Sequence, residues 1–126
     1  MSVFHETLHA YAAAISALDP GAFAACFAPD CELNDPVGAP PHRGQEGARA
    51  MLAGFEPLLA SIRFQIGRIH LNGRSAALTW SIEAEGKNGR TASAEGIDVV
   101  DFDEAGKIVR TNGYWDPGPF VGALTA

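Results

Sequence analysis

Basic charge is scarce in this chain. Nine Lys and Arg stand against fifteen Asp and Glu, and the net charge is −6. A nucleic-acid binder needs a basic stripe along the phosphate backbone, so that class is excluded. The same shortage argues against docking on an anionic membrane surface. Long hydrophobic runs are also missing, and no stretch reaches the length of a membrane-spanning helix. The start MSVFHETLHAYAAAISAL lacks the basic opening and long apolar run of a secretory leader. Cysteine is rare. Cys26 and Cys31 are the two present; a disulfide between them stays open, with free thiols in a reducing compartment the expectation. Repeats, linkers and low-complexity segments are absent. These gaps leave a cytoplasmic protein, with no membrane or nucleic-acid partner, whose charge does not oppose a neutral or cationic small ligand.

What is present is a single domain over residues 1–126. Hydrophobic residues make up 47% of the chain and charged residues 19%, enough for a core without disulfide or metal. Ser2 can cap a helix running to Leu18, because Phe4, Leu8, Tyr11, Ile15 and Leu18 recur at three- and four-residue spacing. Asp19-Pro20 reads as a cap and first-turn proline for a short helix through Cys26. Cys31 to Asp35 alternates like a strand, ended by Pro36 and Gly38. Gln45 to Ser61 reads as a third helix with Pro57 as kink or stop. Four strands follow, over Ile62–Leu71, Arg74–Glu85, Arg90–Asp103 and Lys107–Trp115. Asn72-Gly73 is the strongest hairpin signal between them. The tail from Pro117 is expected to be irregular. Helices first and an antiparallel meander after them make an α+β domain, a cone of three N-terminal helices on a curved, mainly antiparallel sheet. Such a cone leaves an apolar mouth for a small molecule.

Two acids sit where apolar residues are expected. Asp98 shares a strand face with Val100 and Phe102, and Ile97 and Val99 make the other face apolar too. A carboxylate buried there without a cation keeps its proton, and a protonated acid can donate a hydrogen bond. An acid at the sheet rim, or one paired with Arg110, fits the pattern as well. Asp35 has the parity of Leu33 and Cys31 and stands before Pro36, where it either faces the cavity or simply forms a turn. Tyr11 on its helical stripe reads first as core, with a hydroxyl that needs one partner.

His5-Glu6-Thr7-Leu8-His9 fits H-E-x-x-H, the zinc protease pattern. The lengthened signature needs a glycine and a third histidine soon after, which Tyr11 to Ile15 do not supply. Glu32 as a third ligand has no support, and the histidines flank the apolar stripe as solvated residues do. No metal is expected. His42 in the Pro40-Pro41-His42-Arg43 loop reads as exposed, and His70 as a structural strand residue. Asp101, Asp103 and Glu104 read as a solvated strand end and turn.

Three segments carry a resemblance. LNDPVGAPPHRG around Asp35, GIDVVDFDEAGKI around Asp98 and the later TNGYWDP resemble the bacterial steroid Δ5-3-ketoisomerases, of nuclear-transport-factor-2-like fold. The resemblance spans nearly the whole chain. In that family a helix tyrosine, an acid before proline and an acid in a late strand form the site, and these fall at matching spacing on Tyr11, Asp35 and Asp98. The family is itself the usual worked example of two acids held in opposite states by their surroundings. The resemblance implies Asp35 as the base that moves a proton from C4 to C6 of a small hydrophobic ketone, a steroid. It implies Tyr11 and protonated Asp98 as donors to the oxygen of a dienolate. It implies that Trp115 lines the pocket and can orient Asp35, with Phe27, Leu52, Phe55 and Val100 as further substrate contacts. It implies no cofactor, and a homodimer through the outer sheet face around Ile97 and Val99. Phe27 and Leu52 depart from the family, which has tyrosines there supporting the oxyanion tyrosine. A slower isomerase is therefore expected. Two other readings remain: a binding protein that holds such a ligand without converting it, and another enzyme of the fold, a polyketide cyclase or epoxide hydrolase. The hydrolases need an Asp-Arg-Asp set, and no arginine here is clearly placed on a pocket face.

Overall fold

The computed structural model describes residues 2–126. Helix α1 runs Val3–Ser16, with the Ser2 hydroxyl accepting from the His5 N–H at 3.3 Å. The apolar stripe continues to Leu18, but the helix does not. Leu18 takes a left-handed φ of 51°, its N–H bonds Ile15, and the Asp19 N–H bonds Ala14. That is a Schellman stop with leucine where glycine is usual, so Leu18 packs on the core from beyond the helix end. Asp19 then caps α2 through the Ala22 N–H at 3.0 Å, and α2 spans only Pro20–Ala24, short of Cys26.

Strand β1 is Phe27–Asn34, starting earlier than the alternation from Cys31 suggested. The Asp35–Pro36 peptide after it is cis. His42–Arg43, expected as exposed loop, forms the short strand β2 beside β1, and His42 is half-buried. Helix α3 is Gly44–Phe55 and stops well before Ser61. Pro57 has no N–H to continue the ladder, so Glu56–Leu58 tightens into a 3-10 turn. Leu59 already pairs with Gly86, and β3 covers Leu59–Asn72. The hairpin turn falls one residue later than Asn72-Gly73, on Gly73 and Arg74, with Gly73 at φ 62°.

Strands β4 (Ser75–Gly86), β5 (Thr91–Phe102) and β6 (Ile108–Tyr114) complete one six-stranded sheet in the order β2-β1-β6-β5-β4-β3. Every neighbouring pair is antiparallel except β1 and β6. The register of β3 slips between Ile66 and Ile69, and a side chain at Gly67 would collide with Thr79. That bulge bends the strand and helps curve the sheet over the helices. The α+β expectation holds: helices pack on one face of a curved, unclosed, mostly antiparallel sheet. The tail is not irregular. Gly118–Thr125 forms α4, and Phe120 and Leu124 bury its inner side. Asn88 in the β4–β5 turn donates to the Ala123 and Ala126 carbonyls and holds the helix end in place.

The core lies between the helices and the inner sheet face. Phe23, Phe27, Leu33 and Ile108 are wholly buried in it. Cys26 and Cys31 are buried and unpaired. No described helix is long and apolar enough to cross a membrane.

Candidate active site

The topology brings the three singled-out residues to one cavity. Parallel strands end in the same direction, so Asp35 after β1 and Trp115 after β6 emerge side by side. Trp115 Nε1 donates to Asp35 Oδ1 at 2.7 Å. Asp98 lies inside β5, opposite Leu78 of β4 and Gly113 of β6. It is 1% exposed, on the inner face with Val100 and Phe102. Tyr11 comes down from α1, and its hydroxyl donates to Asp98 Oδ2 at 3.3 Å. These residues line a cavity with about 560 Å³ of empty space, part of it open to solvent. Apart from Tyr11, the two acids and the indole N–H groups, its lining is apolar.

Arg110 is not a partner of Asp98. It lies exposed and reaches Glu32 at 3.6 Å. Among the described residues no cation pairs with Asp98, and burial raises its carboxyl, with the charge of Asp35 adding to the effect. Hydrogen bonds from Trp80 and Tyr11 oppose that rise, and the result is about 7. Burial raises Asp35 too, while the Trp115 hydrogen bond and the nearby His42 hold it down. Tyr11 is pushed well up, by burial first and then by Asp98 and Asp35. Two coupled acids in one apolar pocket do not ionise together easily. The one with the shorter route to water and the stronger donor, Asp35, takes the charge. Asp98 keeps its proton up to about pH 7.

Two glycines make this crowding possible. A side chain at Gly113 would stand 2.6 Å from Asp35 Oδ1 and 3.2 Å from Asp98 Oδ1. One at Gly96 would stand 2.6 Å from the Trp80 ring and 2.9 Å from Trp115 Cβ. Both glycines sit within strands, where a missing side chain commonly marks a close approach.

Of the further contacts expected, Trp115, Leu52 and Phe55 line the cavity. Phe27 and Val100 do not. Both are fully buried in the core, and Phe27 packs on Phe23 and, at 6.2 Å between centroids, on the Tyr11 ring. Phe27 was expected from the family resemblance alone, and Val100 does share the inner face of β5 with Asp98, but strand parity does not distinguish a cavity wall from the packing behind it. Leu52 and Phe27 bring no hydroxyl toward Tyr11. Trp80, Phe64 and Phe120 line the cavity and were not anticipated. Trp80 had a signal: a tryptophan in phase with Leu78 and Ile82 is buried, and its N–H must find an acceptor. Phe120 had none, because the tail carried no visible periodicity. His5 Nδ1 lies 2.8 Å from Ser2 Oγ and His9 is exposed, and neither lines the cavity. His70 is exposed on β3. Asp103 accepts from the Lys107 N–H, as a turn residue does.

A sequence model of the SnoaL-like domain family matches residues 8–111, and this chain belongs to that family. Its cone of helices on a curved sheet is the nuclear-transport-factor-2-like fold. Among characterised relatives it is similar to the steroid Delta-isomerase of Nocardioides simplex, 32% identical over 112 residues that cover 88% of either chain. Solved structures share the fold at lower identity. An NTF2-like protein of unknown function from Burkholderia pseudomallei matches with a TM-score of 0.83 at 20% identity over the whole of both chains. TerC, crystallised with polyporic acid, gives 0.82 at 18% identity over 99% of this chain and 100% of its own. SalBIII, an epoxide hydrolase/cyclase-like enzyme of salinomycin pyran ring formation, gives 0.80 at 20% identity over 92% of each.

Proposed function

We propose that the chain is a steroid Δ5-3-ketoisomerase, moving the double bond of a 3-oxo-Δ5-steroid to Δ4 through a dienolate. The observation that carries this is the Tyr11–Asp98 contact, a neutral phenol and a proton-retaining acid at one point of an apolar cavity that also holds Asp35. A ketone oxygen placed there would receive hydrogen bonds from both. Those bonds strengthen as negative charge develops on the oxygen, and that lowers the barrier. Asp35, ionised and oriented by Trp115, takes the proton from C4 and returns it at C6. The 32% identity to a steroid Delta-isomerase supports the same substrate class. Activity below that of a site with a fuller hydroxyl network is part of the reading, because Phe27 and Leu52 leave Tyr11 with Asp98 alone.

The test is the ultraviolet rise of the conjugated enone on mixing with a 3-oxo-Δ5-steroid. Turnover is expected, and Asp35→Asn should reduce kcat by about 10³-fold, within the usual span for a general base. Turnover that survives Asp35→Asn would overturn the assignment. A second reading, a binding protein for such ligands, draws on the bare surroundings of Tyr11. It predicts tight binding of a phenolic steroid with no enone formed. The hydrolase reading is disfavoured by a cavity in which no described arginine takes part.

We also propose a homodimer formed through the outer sheet face, where Ile97 and its cross-strand neighbour Tyr114 are 47% and 52% exposed. Residence in the cytoplasm belongs to the same proposal, supported by two cysteines that remain free.

A further inference from the structure

The two acids have matching supports. Trp115 donates to Asp35 Oδ1 at 2.7 Å, and Trp80 donates to Asp98 Oδ1 at 2.9 Å. The two indoles pack edge to face, 5.4 Å between centroids at 77°. Trp80 also stacks on Phe64 at 5.3 Å and 28°, and it is 6% exposed. Packing on two sides fixes its ring, and the vacancy at Gly96 gives the ring its space.

An indole N–H can only donate. Oδ1 of Asp98 must therefore accept, and a proton on that oxygen would point against the N–H. Oδ2 is the oxygen within reach of the Tyr11 hydroxyl. We propose that Trp80 is a positioning residue, whose N–H occupies Oδ1 of Asp98 and confines the carboxyl proton to Oδ2, beside the Tyr11 hydroxyl. Both donors then converge on one ligand oxygen. Trp80 thus supplies order that Phe27 and Leu52 cannot. The catalytic part of this inference rests on the isomerase reading; the placement of the proton does not.

The bond has a second consequence. A donor to Asp98 favours its charged form, so Trp80 restrains the rise that burial and Asp35 impose. The titratable groups facing Asp98 are Tyr11 from α1 and Asp35 beyond β1. Its cross-strand neighbours Leu78 and Gly113 do not titrate. Cys26 acts on Tyr11 and His42 on Asp35. Removing the Trp80 N–H leaves the upward influences less opposed.

Trp80→Phe removes the donor and keeps an aromatic ring against Phe64. Protein labelled with carbon-13 at the aspartate carboxyls is titrated by NMR, with Asp98→Asn identifying the Asp98 signal. The midpoint, about 7 in the unmodified protein, should rise in Trp80→Phe by about one pH unit, as expected for losing a hydrogen bond to a charged group. Trp115→Phe should move Asp35 upward and Asp98 less. An Asp98 midpoint that stays or falls in Trp80→Phe overturns the proposal. The unmodified protein gives a check that does not depend on the variant folding. The Trp80 indole proton should follow the Asp98 titration, and an indole signal flat across that range also overturns it. In the isomerase assay, the alkaline limb of kcat/KM should rise with the same midpoint. The value on the acid side should fall by about 10-fold, as for other supporting partners. If no steroid is turned over, the isomerase reading fails, and the carboxyl titration still decides the role of Trp80.

Discussion

Gly113 is the residue on which both acids depend, although it carries no side chain. Asp35 and Asp98 occupy the space its side chain would fill. In Gly113→Ala the new methyl would meet Asp35 Oδ1 at 2.6 Å, and β6 holds it in place. The acids would have to give way, because a carboxyl group rotates more easily than a paired strand moves. A shift of order 1 Å in a reacting group typically costs about 10²-fold in rate. Gly113→Ala is therefore expected to lose about that much kcat while its circular dichroism stays that of the parent. An alanine variant with full turnover would mean that the two acids do not act together. Strand parity drew attention to Asp35 and Asp98 one at a time. Nothing in the sequence marked Gly113 as seating them both, since a glycine's neighbours across a sheet are visible only once the strands are paired.

Among the elements, α4 changes the site most. It puts Phe120 into the cavity wall, edge to face with Trp115 at 5.9 Å. Trp115 in turn holds Asp35, so a helix at the far end of the chain supports that carboxylate. Phe120 is 2% exposed, and Phe120→Ala is expected to cost about 3–5 kcal/mol in urea unfolding, as large core truncations do. Ligand affinity should fall with it. A loss below about 1 kcal/mol would show that α4 is only loosely attached. The tail read as irregular because Pro117, Gly118, Pro119 and Gly122 disfavour a helix in isolation. Burial of Phe120 and Leu124, and the two hydrogen bonds from Asn88, overrule that preference. The first helix shows the opposite limit. Its stripe reached Leu18, yet the Schellman turn ended it at Ser16, because a periodic pattern does not say where backbone hydrogen bonding stops.

At the scale of the molecule, the helices cover the apolar inner face of the sheet, while the outer face is mostly polar, with Thr79, Ser81, Glu83, Ser93 and Glu95 on it. Within that outer face Ile97 and Tyr114 stand exposed side by side. With a second copy as the proposed occupant, sedimentation should give twice the mass of the chain, and Ile97→Glu should return it to the single-chain mass. A single-chain mass for the unmodified protein at high micromolar concentration would refute the dimer. The Ile97 side chain points away from the cavity, on the face opposite Asp98. The variant should therefore separate assembly from ligand binding.

The sequence by itself determined the α+β architecture and most of the strands, and it put Tyr11 on an apolar helical stripe and Asp35 and Asp98 in phase with apolar strand residues. Those follow from periods of 3.6 and 2 and from local breakers, which act over a few residues. Only the tertiary structure decided that the three meet, because the parallel pairing of β1 with β6 joins segments nearly eighty residues apart. The Trp115–Asp35 pair was implied by the family resemblance, but only the tertiary structure assigned Trp80 to Asp98, placed Phe27 and Val100 behind the cavity wall, and made a helix of the tail. Hydrogen-bond partners and cavity boundaries belong to pairs of distant residues, and no local period in the chain encodes them.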